Sequence, residues 1–204
     1  MKALFSIAFF PPVDYLLALS RCEVAALEAC EHYQKQSYRN RCEIVTSQGI
    51  QTLTLPIRHT HTGQPIPIRE AEIEYRTPWQ GKLLRAIRSA YATAPYFIHY
   101  YDELAALVSI REPSLWAYNL QLLDFLMRHL HLAPPSVVET TSYETSLAPE
   151  WEDLRTSFHP KQSRTVQLRY YQVFADRLPF FPNVSGLDLL FNEGALASQM
   201  FSRG

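Results

Sequence analysis

The first thirty residues place the strongest limit on how this chain can fold. Two short apolar runs, Ala3 to Phe10 and Val24 to Ala29, flank a helix-length segment from Val13 to Ser20. Strands joined through a helix run parallel, because a tight hairpin turns the chain back on itself and a crossover does not. The spacing predicts a β–α–β opening. A different connection follows: Cys42 to Ser47 and Ile50 to Ile57, both rich in β-branched residues, surround Gln48-Gly49 and predict a hairpin. From Arg58 to Pro67 the composition turns to Thr, His, Gly and Pro, which predicts a surface loop, and a short strand is expected at Ile68 to Tyr75.

The middle of the chain carries helical periodicity. Thr77-Pro78-Trp79-Gln80 offers a Thr cap, a Pro at the first helical position and a Gln where a capping box places one. Leu83, Ile87, Ala90 and Tyr91 then form one apolar face that should end before Pro95. Tyr96, Tyr100, Leu104, Leu107 and Val108 mark a second helix, and Leu115, Tyr118, Leu122, Leu126 and Leu130 a third that opens at Pro113. Together they predict a helical layer over about 77–131. Beyond it, 133–163 is expected to be irregular apart from a strand at Val137 to Thr141. Arg169 to Phe174 reads as a late strand, and Ser185 to Phe191 as a short helix capped by Ser185 and stopped at Gly194. The fold class these alternations predict is α/β: a mixed sheet begun by a β–α–β unit, a hairpin and a central helical layer, all within one domain spanning 1–204.

Composition narrows the function classes. At 204 residues, 47% apolar and only 19% charged, the chain can bury one sizeable core. A formal charge of −1 argues against a general nucleic-acid binder, which needs surplus Lys and Arg to displace counterions from phosphates. No apolar stretch approaches the length of a membrane span, and prolines interrupt the first apolar run before it could serve as a leader. Cys22, Cys30 and Cys42 form an odd set without metal-ligand spacing, so a reducing, cytoplasmic setting is expected.

A search for chemistry excludes more than it finds. There is no Gly-rich phosphate loop, no GxSxG, no HExxH and no Asp-x-Asp. His59-x-His61 and His129-x-His131 have a spacing that could place two imidazoles on one strand face, but they fall in a loop and at a helix end, where a solvated His or a helix-terminal cation needs no metal. No metal site is expected, and no cofactor is indicated. Three constellations remain. Tyr38-Arg39-Asn40-Arg41 could grip a carboxylate or phosphate, or be a solvated turn. Lys82, Arg85 and Arg88 share one helix face, suited to a polyanion or simply to water. His159 and Lys161, in Phe158-His159-Pro160-Lys161, could supply a general base and a cation for an oxyanion, or an exposed turn. Cys30 is better read as a small core hydrophobe than as a nucleophile, and the aromatics Tyr96, Phe97, Tyr100 and Tyr101 as core or groove lining.

Phe9-Phe10-Pro11-Pro12 with Tyr15, Tyr38-Arg39-Asn40-Arg41, Leu53-Thr54-Leu55-Pro56-Ile57, the run from Trp79-Gln80 through Tyr91 to Ala94-Pro95-Tyr96-Phe97, and Pro182-Asn183-Val184-Ser185 with Asp188-Leu189-Leu190-Phe191-Asn192 form a set of stretches along most of the chain. Together they resemble the WbqC-like protein family. The chain departs from the family's usual Gln-Pro or His-Gln-Pro start, replaced here by Ile7-Ala8-Phe9-Phe10, and a longer Gly-rich segment before the last strand is absent or shortened. The resemblance implies a role in O-antigen or other surface-polysaccharide biosynthesis, with transfer of a small aminoacyl or acyl group, such as glycine, to a sugar. On that reading Tyr38, Arg39, Asn40, Arg41, Lys82, Arg85, Tyr96 and Asn183 would hold an anionic small-molecule or sugar substrate, and His159 and Lys161 would act on it. The alternative of a different class is a non-catalytic sugar- or anion-binding scaffold derived from such an enzyme.

Overall fold

The structure, a computed structural model, describes residues 1–58, 64–132, 136–162 and 168–201, so the His59-x-His61 pair lies outside the described residues. The β–α–β opening is present as β1 (Lys2–Phe5), α1 (Val13–Ser20) and β2 (Val24–Leu27), with β1 and β2 parallel in the register Lys2 to Val24 through Phe5 to Leu27. The first strand is shorter than its apolar run. After Phe5 the chain leaves the ladder: the Glu28 N–H closes on the Phe5 carbonyl, Phe9 N–H turns to the Tyr38 carbonyl, and Phe10 takes a positive φ of 41°. Burial of Ile7, Ala8, Phe9 and Phe10 makes the run apolar without making it strand.

The hairpin forms from β3 (Arg41–Thr46) and β4 (Gly49–Thr54), antiparallel with Thr46 opposite Gly49. The turn is therefore Ser47-Gln48, one residue earlier than expected, and Gly49 with φ 98° starts the second strand, a conformation glycine adopts without steric cost. It stands as a separate two-stranded sheet. The expected strand at Ile68 to Tyr75 is instead a 3-10 turn over Ile68–Glu70, followed by single bridges from Ile73 to Ile57 and from Glu72 to Ser114.

Helices α2 (Trp79–Tyr91), α3 (Phe97–Ser109) and α4 (Leu115–His129) make the expected layer. Leu83, Ile87, Ala90 and Tyr91 are buried, and the Tyr91 hydroxyl accepts a hydrogen bond from Val45 N–H at 3.2 Å, which ties α2 to the hairpin. The capping box at Thr77 is not formed. Helix α2 begins at Trp79 without a side-chain cap, and Gln80 Nε2 donates instead to the carbonyls of Val108 and Ile110, satisfying the frayed end of α3. Ser114 caps α4 by accepting Ala117 N–H.

The segment over 133–163 supplies the strand expected near Val137 to Thr141, shifted to Ser136–Glu139, and one further strand that the sequence pattern does not predict. β5 (Ser136–Glu139) pairs parallel with β2, and β6 (Trp151–Asp153) pairs parallel with β1, giving a four-stranded parallel sheet in the order β5-β2-β1-β6. The late strand at Arg169 to Phe174 does not form. Its polar side chains are used elsewhere, since Tyr170 and Gln172 hydrogen-bond the Asp188 carboxylate. Asp188 lies in α5 (Gly186–Glu193), which is capped by Ser185 as expected and ends at Gly194 with φ 56°. A Cβ at Gly194 would meet the Tyr96 ring at 2.6 Å, so the stop residue also makes room for an aromatic face. A short α6 (Ala197–Phe201) follows. Ala3, Phe5, Ala25 and Leu27 turn one sheet face into the main core beneath α1, while Leu4 and Ala26 on the other face look onto a groove of about 370 Å³ with Leu147, Ala148 and Trp151. Among the described residues, no helix is long and apolar enough to cross a membrane.

Candidate functional site

A parallel sheet places its chemistry at the carboxyl ends of its strands, where the order of connection reverses. Here the chain winds from β1 outward to β2 and β5 and then returns to β6 on the other side of β1, so the reversal lies between β1 and β6. The residues that leave those ends are polar. Ser6 follows β1 and Glu28 and Glu31 follow β2, all three buried, while the half-buried Thr140 and Arg155 follow β5 and β6.

These side chains satisfy one another. Arg39 donates Nε to Glu31 Oε1 at 2.8 Å and Nη2 to both Glu31 Oε2 and Ser6 Oγ, while Ser6 Oγ donates to Glu31 Oε2 at 2.9 Å. Arg155 donates to Glu28 Oε2 at 3.1 Å, to the Glu144 carbonyl at 2.8 Å and through two nitrogens to Asp153. Glu28 also accepts from Cys30 N–H and from Thr140 Oγ1. Hydrogen bonds from Arg155 hold Asp153 below the usual carboxylate range, and the same contacts raise Arg155. What remains of the crevice, lined by Ser6, Ala8, Tyr15, Arg39, Arg155 and Phe158, has a volume of about 10 Å³. That is room for one water.

His159 sits beside this network. Burial lowers its pKa first, and the nearby Lys161 and Arg39 cations lower it further, so the imidazole is neutral at pH 7. Its Nδ1 accepts the Lys161 N–H at 3.2 Å. The proton of the neutral ring therefore rides on Nε2, a donor. Lys161 itself is exposed.

The segment from Tyr33 to Arg41 forms a wall with different chemistry on its two sides. Arg39 faces the filled crevice, whereas Asn40 and Arg41 line a separate groove of about 420 Å³ with Tyr33, Lys35, Thr54 and Arg58. The structure thus sends the two guanidiniums of the Tyr38 to Arg41 motif to different cavities. Tyr38 is buried, and its hydroxyl is pushed up by that burial and by Glu43. Asn40 is 6% exposed; its Nδ2 donates to the Leu55 carbonyl, but its Oδ1 has no partner. Arg41 Nε is likewise buried without one. Three cations and one acid, Glu74, line this groove, and of the cations only Arg58 is paired among the described residues, with Glu72 at 2.7 Å. Tyr33 is pushed up to about 12 by burial, against the opposing pull of Arg41 and Arg39. A buried donor and a buried acceptor left unpaired on the wall of an electropositive groove are what a bound anion or amphoteric polar ligand would satisfy.

The other sequence candidates are spread around the molecule. Lys82 and Arg85 are exposed on α2, and Lys82 lines a smaller bay of about 170 Å³ with Gln51, Thr54 and Trp79. Tyr96 packs against Gly194 and donates its backbone N–H to the Phe191 carbonyl. Asn183, with φ 59°, offers Oδ1 to Asp14 N–H at 3.4 Å at the start of α1, where Pro12 provides no side-chain cap. His129 meets Glu103 at 2.9 Å and packs on Phe125, and no cluster of His, Cys, Asp and Glu suited to a metal occurs among the described residues. Cys22, Cys30 and Cys42 are all free thiols.

Sequence reasoning missed Glu28, Glu31 and Arg155. Glu28 was absorbed into an apolar run, although an acid that closes a buried parallel strand is itself a signal, because burial demands a partner for it. Tyr33 and Lys35 were missed because they lie two turns of chain before the Arg motif and meet it only through the fold.

Comparison with known proteins agrees with the resemblance read from the sequence. The model of the WbqC-like protein family matches residues 8–152. The uncharacterized protein Rv1507c of Mycobacterium tuberculosis is 27% identical over 191 residues, covering 81% of this chain and 81% of its own length. No solved structure matches. The matched region contains the whole Arg41 groove and β2 through β5, while β1 precedes it and His159, Lys161 and Asn183 lie beyond it.

Proposed function

The chain belongs to the WbqC-like protein family, and from that membership together with the Arg41 groove we propose that it is a cytoplasmic transferase of surface-polysaccharide biosynthesis. In this reading one domain holds an anionic donor, bearing a phosphate or carboxylate, and passes a small aminoacyl or acyl group such as glycine to a sugar. The observation that carries it is the Arg41 guanidinium, whose Nε is buried and unpartnered on the wall of a 420 Å³ groove shared with Asn40 and Lys35. Arg39 supports the site from behind. Its bond to Glu31 fixes the wall, and Tyr38 and Asn40 flank it in the chain.

His159 and Lys161, expected from sequence as a general base and an oxyanion cation, sit beside the filled crevice and do not line the Arg41 groove. With Nδ1 occupied by the Lys161 N–H, His159 presents its Nε2–H as a donor on the crevice side of the wall rather than as a base toward the groove. Lys161 adds positive charge to the same corner.

The binding step is tested with inorganic pyrophosphate and isothermal titration. Arg41→Ala is expected to weaken binding by about 1.5–3 kcal/mol, the loss of a charge-assisted hydrogen bond, with the melting temperature little changed. Equal affinity in wild type and variant removes the groove from the proposal. One observation favours the non-catalytic alternative: the crevice at the strand ends is filled by its own ion pairs. Incubation with a glycyl donor and an amino sugar separates the two, since the transferase reading requires product and the scaffold reading requires binding without it.

A further inference from the structure

The Arg41 groove does not end at the hairpin. Thr54, the last residue of β4, lines both that groove and the 170 Å³ bay beneath α2, so the two cavities are neighbours across one side chain. The bay has its own features. Lys82 stands at it without a carboxylate partner among the described residues, and Trp79, 6% exposed, contributes an indole Nε1–H that has no hydrogen-bond acceptor. A buried indole N–H normally finds one. Besides the cations the lining offers uncharged hydrogen-bonding groups, Thr54 and Thr77 in the groove and Gln51 in the bay, together with one acid, Glu74, and apolar side chains such as Leu55 and Leu83.

We propose that the groove and the bay form one extended site for a sugar carrying two separated anionic groups, one held at Arg41 and Lys35 and the other at Lys82. This rests on the reading of the Arg41 groove as an anion site and deepens it. Cations line both cavities, and Thr54 is shared between them. The hydroxyl and amide groups match the donors and acceptors of a sugar and the apolar side chains its ring face, whereas a wholly apolar spacer would leave the former unsatisfied. The two cavities, about 420 and 170 Å³, together exceed what a lone phosphate fills, and Lys82, a compact ammonium on a flexible stem, suits the second anion. The absence of Asp and Glu between Arg76 and Tyr101 keeps that end of the site free of competing carboxylates from α2 itself.

The test uses three probes on the full chain: glucose 1-phosphate with one anionic group, glucose 1,6-bisphosphate with two phosphates, and trigalacturonate with several carboxylates. The bisphosphate or the trigalacturonate is expected to bind more tightly than glucose 1-phosphate, and which of them does so distinguishes a phosphorylated sugar from an acidic oligosaccharide. Lys82→Gln should weaken that tighter probe by about three- to fivefold, the scale of an exposed charge pair, and leave glucose 1-phosphate unchanged. Arg41→Ala should weaken all three. If Arg41→Ala changes nothing, the anion reading of the groove itself fails. If Arg41→Ala weakens binding but Lys82→Gln leaves every probe alike, or neither larger probe gains over glucose 1-phosphate, the extension to the bay is overturned while the groove stands.

Discussion

Arg39→Ala is expected to lower the free energy of unfolding by about 3–5 kcal/mol, measured by urea denaturation at pH 7. The arginine is 5% exposed and Glu31 is equally buried, so truncation strands a carboxylate in a site that water does not reach. Ser6 Oγ would be the carboxylate's remaining side-chain donor. The wall keeps its backbone tie in this variant, because the residue 39 carbonyl that accepts Asn119 Nδ2 at 2.8 Å is unaffected by truncation of the side chain. A second substitution isolates the cause. Arg39→Met combined with Glu31→Leu removes both charges and should recover most of the loss, as expected when a buried pair is replaced by apolar groups of similar size. A loss under about 1 kcal/mol in the single variant would mean that Glu31 finds water or another partner, contrary to its burial. Arg41→Ala, two residues away, should behave in the opposite way, with stability kept and ligand lost.

The second large effect is a pH dependence set by Asp188. Burial raises its pKa to about 6, against the opposing hydrogen bonds of Tyr170, Gln172 and Tyr91. The unfolded carboxyl titrates near 3.9. Because the folded pKa is the higher one, the contribution of Asp188 to stability is fully present below about pH 4 and is lost as pH rises through 6. The two-unit gap corresponds to a loss on the order of 3 kcal/mol across that window. Asp188→Asn keeps an oxygen for the Tyr170 hydroxyl at 2.7 Å and for Gln172 Nε2 at 2.8 Å but cannot ionise. The difference between wild type and Asp188→Asn, followed by denaturation from pH 4 to 7, should therefore shift steadily in favour of the variant as pH rises. A constant difference across that range would show that Asp188 titrates alike in both states. Glu43, whose pKa burial also raises, acts in both proteins and cancels in the comparison.

The parts of the fold that were legible in the sequence are those governed by local pattern. The β–α–β opening, the hairpin, the three central helices and the Ser185 cap each rest on apolar spacing or on a residue that satisfies its own neighbour, so they survive without knowledge of the tertiary fold. β6 was invisible because three residues, Trp151 to Asp153, with two of them acidic, carry no strand period; they pair with β1 only because the sheet offers an open edge there. The capping box at Thr77 failed for a related reason, since Gln80 had a better use at the end of α3. The candidate site divides along the same line. Arginine pairs announce anion chemistry in sequence, but whether a guanidinium is spent on a buried acid, as Arg39 is on Glu31, or left at a groove, as Arg41 is, depends on what the end of β2 brings to it through the fold.

The most direct measurement of the central claim is a crystal of the full chain soaked in pyrophosphate. The account predicts the anion in the groove within hydrogen-bond distance of Arg41 Nε, with the Arg39 to Glu31 pair undisturbed. Pyrophosphate seated instead at the ends of β1 and β6, against Arg155 and His159 with those ion pairs opened, would contradict it.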